Sequence, residues 1–245
     1  MKVIKRTFII LFILIVICLV VLGLYGYTLY EEKIKEQPIA DKISDIENGY
    51  YFVSLNEVPK EYLNAIIAVE DRRFKEHGAI DIIGIARAIV SNMTSGKLQE
   101  GGSTITQQVA KNLYFIYEDN VVRRKIAEMF MAIELENRYS KDDVLELYIN
   151  TIYFGDGYYG IKQACEGYLN KEPCDMNLAE STMMAGIPNA PSAYAPTVNA
   201  TLCMQRQKKV ISSMVENGYL TEEQADSIDQ SFIQEIYESN RNATK

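Results

Sequence analysis

Side chains that bind transition metals or perform thiol chemistry are scarce in this sequence. His77 is the only histidine, and the four cysteines show neither CxxC spacing nor the Cys/His spacing of zinc sites; they are Cys18, Cys165, Cys174 and Cys203. These absences exclude a zinc centre of the usual kind and leave little room for a Ser/His or Cys/His catalytic pair. We therefore expect the cysteines to be free thiols.

The motifs of several enzyme classes are also missing. The sequence has no GxSxG or HExxH hydrolase motif, no GxxxxGK[ST] phosphate-binding loop, and neither SxxK nor KTG, the motifs of penicillin-reactive transpeptidases. Positive charge is in deficit as well, because the net charge is -8 at pH 7. That balance argues against a general nucleic-acid binder, which would show a basic patch or a high isoelectric point.

A long run without charge near the N-terminus is the clearest segment of the sequence. Residues 7–30 contain no charged side chain. As a helix, about 24 residues at roughly 1.5 Å each would cross a hydrocarbon core of roughly 30 Å. Basic residues precede the run and acidic residues follow it, and no small-x-small cleavage site ends it. We predict a single-pass anchor with residues 1–6 in the cytoplasm and the chain after residue 30 outside the cytoplasmic membrane.

Helical patterning dominates the rest of the chain. Residues 31–58 read as a charged stalk ending in a short extended piece, YYFVSL, and residues 59–245 read as one mainly α domain. Capping boxes predict four helix starts, at Thr104-x-x-Gln107, Ser140-x-x-Asp143, Asn177-x-x-Glu180 and Thr221-x-x-Gln224. Glycines predict helix ends, at Gly96, at Gly155 with Gly157, at Gly186 before Pro188 and at Gly218.

The stretch AVEDRRFKEHGAID, residues 68–81, concentrates charge around one aromatic ring. The preceding residues NAIIAV predict an apolar helix face that ends on Glu70. A carboxylate at the end of an apolar run is partly desolvated, which raises its pKa and makes it usable as a general base. From the residues alone, pairing of Glu70 with Arg73, or simple hydration at a helix end, stays open.

Two further stretches supply polar and cationic side chains. In GGSTITQQVAKNL, two glycines precede a capped helix start, a natural place for phosphate oxygens, although a plain capped helix is the alternative. In VVRRKIAEMFMAIELE, three adjacent cations stand near Glu128. They would neutralise a diphosphate that faces them, and they are ordinary i,i+4 ion pairs if none does.

Taken in order, five stretches between Glu70 and Pro196 resemble the signatures of the peptidoglycan glycosyltransferases, family 51 of the glycosyltransferases. EDRRFKEHGAI resembles the first signature, EDxxFxxHxG, and GGSTITQQVAKNL is similar to the second. RRKIAE resembles the RKxxE signature, KDDVLELYINTIYFGDGYYGI the fourth and LAESTMMAGIPNAPSAYAP the fifth. Departures are small, such as Ile149 where leucine is usual. Since transpeptidase motifs are missing and the chain ends at Lys245, the resemblance is to the monofunctional, anchored form.

This resemblance implies a mainly α, lysozyme-like fold with a small membrane-proximal lobe. It also implies a reaction, the polymerisation of lipid II, in which the 4-OH of an incoming GlcNAc attacks the reducing end of a lipid-linked nascent glycan. A β-1,4 bond forms with inversion, and undecaprenyl diphosphate leaves. The expected partners are lipid II, the nascent glycan and the membrane, with transpeptidases and other wall-synthesis proteins as further candidates and no nucleic acid.

The resemblance also assigns roles to individual residues. Glu70 would be the general base, and Glu128 the second carboxylate, near the donor diphosphate or near a Mg²⁺ or Mn²⁺ ion bound to it; no organic cofactor is expected. The remaining substrate-binding residues would be Lys111, Arg124 and Lys125 on the diphosphate, Arg123 and Arg73 as helpers, and Ser103, Thr104 and Gln107 on the donor side. His77 would be a supporting hydrogen-bonding residue.

Two other classes of function remain as alternatives. A membrane-anchored muramidase would suit the fold and a lone catalytic glutamate, although a hydrolase has no diphosphate for the cationic cluster to bind. A non-catalytic anchored scaffold for wall synthesis would not need Glu70 at all.

Overall fold

The computed structural model describes residues 2–95 and 101–243, and these residues are mostly helical. The α-helices in chain order are α1 (Lys2–Glu36), α2 (Ile39–Glu47), α3 (Lys60–Glu70), α4 (Ile82–Ser95), α5 (Ile105–Ala110), α6 (Val121–Arg138), α7 (Lys141–Thr151), α8 (Ile161–Leu169), α9 (Leu178–Gly186), α10 (Pro191–Tyr194), α11 (Ala200–Glu216), α12 (Glu222–Asp226) and α13 (Ser231–Ala243). Short 3₁₀ turns cover Leu55–Glu57, Pro173–Asp175 and Ile187–Asn189. The mainly α prediction is confirmed, while residues 1, 96–100 and 244–245 of the predicted segments lie outside this description.

Strand structure within the described ranges is limited to one small antiparallel hairpin. It pairs β1 (Tyr153–Gly155) with β2 (Tyr158–Tyr159). Asp156 and Gly157 turn the chain between them with φ values of 51° and 85°. Gly155 and Gly157 therefore shape a hairpin and do not end a helix, since α7 already ends at Thr151.

The local helix signals in the sequence are otherwise accurate. All four predicted capping boxes are present, at the starts of α5, α7, α9 and α12. In the first of them, Thr104 Oγ1 accepts from the Gln107 N–H at 3.1 Å, and Gln107 Oε1 accepts from the Thr104 N–H at 2.9 Å. Helix α9 ends at Gly186, and Gly218 follows α11 with a φ of 74°. These ends form as predicted because the cap residues satisfy backbone groups locally.

Two groups of helices build the core. Helices α3, α9 and α11 pack against one another, and α5 packs against α6 and α7. Tyr62, Phe115 and Tyr148 are among the largest fully buried side chains. Burial of a large apolar side chain contributes about 1.5–3 kcal/mol relative to exposure. The C-terminal end of α3 lies where the two groups meet, because Glu70 contacts Gln108 of α5 and Arg206 of α11.

The stalk interpretation of residues 31–58 is wrong, because this segment packs into the domain. Helix α1 continues to Glu36, and α2 buries Ile39 and Ile43 in the common core. The stretch YYFVSL forms no strand; instead, the Val53 N–H donates to Asn150 Oδ1 at 2.9 Å, and the Val53 carbonyl accepts from Asn150 Nδ2 at 2.8 Å. The Asn150 side chain of α7 thus satisfies the backbone hydrogen bonds of Val53. The pattern of charges in the sequence could not indicate this contact.

Helix α1 is the one described helix that is long and apolar enough to cross a membrane. The candidate span covers Ile4–Glu36 with a mean hydropathy of 3.4, and its most apolar window has no buried residue. Helix α4 is shorter, and it exposes an apolar face made of Ile82, Ile83, Ile89, Val90 and Met93. The predicted boundaries of the anchor at residues 7 and 30 fall inside the continuous helix α1.

All four cysteines are free, as expected. Cys18 and Cys174 are exposed, whereas Cys165 and Cys203 are buried. Burial raises the pKa of the Cys203 thiol to about 12 and raises that of Cys165 as well. The buried thiols are therefore protonated and inert at neutral pH.

Replacement of Gly167 tests the packing of the hairpin on α8. A Cβ atom at this position would lie 2.1 Å from Cζ of Tyr158, so Gly167→Ala should force the ring to move. We expect a loss of about 1–3 kcal/mol in the free energy of unfolding, measured by circular dichroism in detergent. Gly78→Ala is the matched control, because nothing lies within 4 Å of its added Cβ. Equal stability of the two variants would contradict this packing.

Candidate active site

A cavity of about 570 Å³ lies where α3, α5, α6 and α11 approach one another. Four of the predicted site residues line it, namely Glu70, Ser103, Lys111 and Lys125. The other polar residues that the structure describes in its wall are Arg72, Arg87, Gln108, Asn112, Asn189, Arg206, Lys209, Ser212, Ser213, Glu216 and Asn217. Among the residues that the structure describes, six cationic side chains and two carboxylates thus line this space, in a chain whose net charge is -8. The cavity is suited to an anion.

Glu70, the last residue of α3, is held in place from two sides. Its Oε1 accepts from Arg206 Nη2 at 3.0 Å, and its Oε2 accepts from Gln108 Nε2 at 3.0 Å. The side chain is 9% exposed, so it lies at the cavity wall largely out of bulk water. The alternative pairing with Arg73 does not form, because Arg73 contacts Glu76 and Asp81. Two donors on two other helices therefore set the direction in which this carboxylate presents its lone pairs.

Arg206 is a site residue that the sequence analysis did not identify. Its Nη2 contacts Glu70, its Nε donates to the Gly186 carbonyl at 3.2 Å, and its guanidinium lies 5.9 Å from the centre of the Tyr194 ring. A signal was present in the sequence, since Arg206 stands four residues before the buried Val210 on the inner side of α11. A charged side chain so close to the apolar face of a helix needs a hydrogen-bonding or ionic partner, but the helical pattern does not identify that partner.

A second cluster surrounds Glu128 of α6, which is fully buried. Its Oε2 accepts from Lys125 Nζ at 2.6 Å, and its Oε1 lies 3.3 Å from Arg124 Nε. Lys125 Nζ also donates to Ser103 Oγ at 3.1 Å. Lys111 is half-buried nearby; burial lowers the pKa of its ammonium group, and Arg124 lowers it further. Three cations around one carboxylate leave an excess of positive charge.

Lys111 reaches this cluster through an irregular turn. Helix α5 widens at residues Lys111–Phe115 into a π turn. Such turns are rare and occur frequently at functional sites. Both Lys111 and the adjacent Asn112 line the cavity.

Five of the predicted substrate-binding residues do not line the cavity. Arg124 contacts Glu128 and donates to the Glu118 carbonyl at 3.0 Å. Thr104 and Gln107 are buried and form the cap of α5, and the Thr104 hydroxyl also donates to the Ala79 carbonyl at 2.8 Å. Arg73 is engaged by its acidic neighbours, and Arg123 turns toward α1. Their side chains are used in local contacts, so the substrate contacts predicted for them have no support in this geometry.

His77 belongs to a separate, internally satisfied cluster. Its Nε2 lies 2.7 Å from Asp71 Oδ1, and Asp71 Oδ2 accepts from the Ile105 N–H at 3.1 Å, at the start of α5. Burial by itself raises the pKa of Asp81, but the Gly84 N–H, His77 and Arg73 outweigh this and lower it overall. The contact of Asp71 with Ile105 ties this segment to α5, and Asp71, His77 and Asp81 support the fold without lining the cavity.

The donor sets available for a metal ion do not favour one at the predicted place. Within the described parts of the chain, Asp71, His77 and Asp81 are the one group of three candidate ligands within 4.8 Å of one another, and they satisfy one another or nearby donors. Glu128 is not in that group, and both of its oxygens face cations. A divalent ion bound by Glu128 would have to displace those cations. The predicted Mg²⁺ or Mn²⁺ therefore does not fit Glu128 as it stands.

Comparison with known proteins extends over most of the chain. The sequence model of a family described as transglycosylase matches residues 36–215. Penicillin-binding protein 1A of Neisseria lactamica is 45% identical over 175 residues, which are 71% of this chain and 22% of that protein. Penicillin-binding protein 1F of Bacillus subtilis (strain 168) is 44% identical over 173 residues, 71% of this chain and 24% of that protein. The chain thus spans less than a quarter of the length of either relative.

A solved structure also aligns with this chain. The 2.6 Å crystal structure of penicillin-binding protein 1A from Haemophilus influenzae covers 72% of this chain with 17% of its own length, at 21% sequence identity and a TM-score of 0.43.

The charge excess around Glu128 predicts opposite effects of two substitutions on stability. Because its pKa is lowered, Lys111 is less easily charged in the folded than in the unfolded chain, so Lys111→Met should leave the thermal midpoint unchanged or raise it. Glu128→Gln should lower the midpoint, because it leaves the two cations beside a neutral amide. Inorganic pyrophosphate should raise the midpoint of the unmodified protein more than that of Lys111→Met.

Differential scanning fluorimetry in detergent measures all three midpoints. Lys60→Met, an exposed lysine at the start of α3, is the matched control and should change neither the midpoint nor the response to pyrophosphate. A fall in the midpoint of Lys111→Met as large as that of Glu128→Gln would contradict the charge excess.

Removal of Arg206 should destabilise the fold. Both side chains of the Glu70–Arg206 pair are 9% exposed, so Arg206→Met leaves a largely buried carboxylate without its cation. Loss of one partner of a buried pair costs about 3 kcal/mol, which chemical denaturation in detergent would detect. Arg138→Met removes a more exposed pair with Glu134 and should cost less than about 1 kcal/mol. Equal losses in the two variants would show that the Glu70 pair is not the buried contact described here.

Proposed function

The chain belongs to the transglycosylase family, and on that premise we propose that it polymerises peptidoglycan glycan strands from lipid II. One observation carries the proposal: the same cavity holds an oriented carboxylate, Glu70, and an excess of cations around Lys111 and Lys125. A base and an anion-binding cluster in one cavity are what a transfer from a diphosphate donor requires.

Glu70 acts in this mechanism as the general base. It accepts the proton of the acceptor 4-OH while that oxygen attacks the anomeric carbon of the donor. Arg206 and Gln108 each donate to one oxygen of the carboxylate and hold it in place at the cavity wall. One base on the attacking face is sufficient for an inverting displacement, in which the α-linked donor becomes a β-1,4 product.

The cationic cluster stabilises the leaving group. Undecaprenyl diphosphate is already a weak base, so positive charge replaces the general acid that a glycosidase needs. Lys111 and Lys125 face the cavity and would contact the diphosphate, with Arg124 behind them on α6. Glu128 holds Lys125 and Arg124 in position. No step is assigned to a metal ion.

The membrane supplies the third part of the proposal. The substrate carries a polyprenyl tail that stays in the bilayer, so an enzyme that acts on it must work at the membrane surface. Helix α1 is apolar and long enough to serve as the anchor, and the exposed face of α4 offers a second apolar contact. We place the N-terminus in the cytoplasm and the catalytic domain outside, because basic residues precede α1's apolar run.

Incubation with labelled lipid II in detergent, followed by separation of the glycan polymers, tests the proposal. The unmodified protein should form polymer, and Glu70→Gln should lower kcat/KM by about 10²–10⁴-fold, because the amide cannot accept the proton. Glu76→Gln is the matched control from the same stretch; its side chain is exposed and lies outside the cavity wall.

Two other outcomes would contradict the proposal. Release of soluble fragments from finished cell wall, without polymer from lipid II, would indicate a muramidase. Full polymerisation by a correctly folded Glu70→Gln variant would remove Glu70 from the chemistry.

A further inference from the structure

Helix α1 does more than continue into the domain, because it packs closely on the helix that carries the cationic cluster. Helices α1 and α6 lie against each other. Gly26 is buried at this contact, and a Cβ atom on it would lie 2.4 Å from Cβ of Ile126 and 3.1 Å from the backbone nitrogen of Ala127. Only a glycine at this position allows the backbones of α1 and α6 to approach each other this closely.

Arg123 reinforces the contact with its whole side chain. Its Nε donates to the Tyr25 carbonyl at 3.3 Å, its Nη2 donates to Thr28 Oγ1 at 3.5 Å, and its Nη2 lies 3.7 Å from Glu32 Oε2. The guanidinium also lies 5.1 Å from the centre of the Tyr25 ring. These contacts span two turns of α1, so they resist both rotation and sliding of that helix.

Residues on both sides of Arg123 in the sequence add further contacts between α1 and α6. Asn120 Nδ2 donates to the Tyr25 hydroxyl at 3.2 Å. One turn beyond Ile126, Phe130 meets Tyr27 edge-on with ring centres 5.3 Å apart and Tyr30 at 6.0 Å. Aromatic pairs in such arrangements are attractive beyond the area that they bury. The contact thus extends along α6 from Asn120 to Phe130.

The adjacent face of α6 carries the cationic cluster around Glu128, from which Lys125 reaches the cavity wall. Successive side chains on a helix point about 100° apart, so Arg123 faces α1 while Arg124 faces Glu128. Helix α1 is continuous over 35 residues, or about 52 Å at 1.5 Å per residue, with no break between the apolar run and the contact with α6. A tilt or vertical shift of α1 is therefore transmitted to the cationic cluster.

We propose that this contact, the α1–α6 clamp of Gly26, Arg123, Ile126 and Phe130, fixes the height and tilt of the cationic cluster above the bilayer. A diphosphate on a lipid tail has a restricted height, so a site that binds it must be held at the same height. Arg123 is then a positioning residue that acts through α1, in place of the substrate contact expected from its sequence. The consequence for catalysis rests on the proposed function, whereas the clamp itself does not.

A depth measurement tests the clamp without any activity. The chain has no tryptophan, so Tyr117→Trp, at a position 91% exposed just before α6, introduces a single reporter. In vesicles containing brominated lipids, its quenching should give one narrow depth. Gly26→Leu and Arg123→Gln, each in the reporter background, should shift or broaden that depth. Gly23→Leu is the matched control, because nothing lies within 4 Å of a Cβ at Gly23, and it should not alter the quenching.

Activity is measured on the same variants with two substrates, a long-tailed lipid II in vesicles and a short-tailed, water-soluble analogue. Gly26→Leu and Arg123→Gln should lower turnover of the vesicle substrate about tenfold or more, because small misplacements of reacting groups are costly. Turnover of the soluble analogue should stay within about twofold, since no bilayer sets its height. A purely structural defect would lower both equally.

The outcomes separate the clamp from the proposed function. Unchanged quenching depth in Gly26→Leu and Arg123→Gln overturns the clamp, whatever the activities. A changed depth with unchanged vesicle turnover, or with equal losses on both substrates, overturns the positioning role. If the unmodified protein turns over neither substrate, the proposed function fails, and the depth measurement still decides whether α1 and α6 move as one body.

Discussion

Glu70 and Arg206 stand 136 residues apart in the chain, and their side chains meet at 3.0 Å on the wall of the cavity. This ion pair requires α3, α9 and α11 to pack together, because Arg206 also bonds the end of α9 at Gly186. A largely buried pair adds little net stability, since the loss of hydration offsets the attraction between the charges. Its contribution is geometric: the carboxylate is directed by donors whose own positions the core determines.

The distribution of charge follows the same logic. The chain carries a net charge of -8, yet six cations and two carboxylates from the described part of the chain line the cavity. The excess acidic residues therefore lie elsewhere, and the whole-chain charge says little about the ligand. Cations gathered in a partly enclosed space focus the field and attract anions more strongly than the same cations spread over a surface. Lys111 shows the cost of this arrangement, because burial and its cationic neighbours lower the pKa of its ammonium.

The membrane-facing side of the molecule is integrated with the site to a degree that a simple tether would not require. The segment after the apolar run does not form a linker, since α2 packs into the core and Asn150 binds the backbone at Val53. Helix α6 contacts α1 on one face and presents Lys125 to the cavity on another. The proposed reaction on a substrate held in the bilayer would gain from such rigidity, because the site would then keep a constant position relative to the membrane.

The sequence by itself determined the features that depend on neighbouring residues. The capping boxes, the apolar helix α1, the helix that ends on Glu70 and the free cysteines all follow from local chemistry, because a cap or an apolar run acts within a few residues of itself. The ordered signatures indicated the family for the same reason.

Only the tertiary structure decided which of these side chains share the cavity. Arg206 lies in the cavity wall although it is distant in sequence from Glu70. Thr104 and Gln107 instead form the cap of α5, and Arg123 contacts helix α1. The spacing of residues in the sequence could not show which side chains bind a ligand and which bind a neighbouring helix. The same cation or hydroxyl in the same motif can do either. That choice is made by the packing of helices that are distant in sequence.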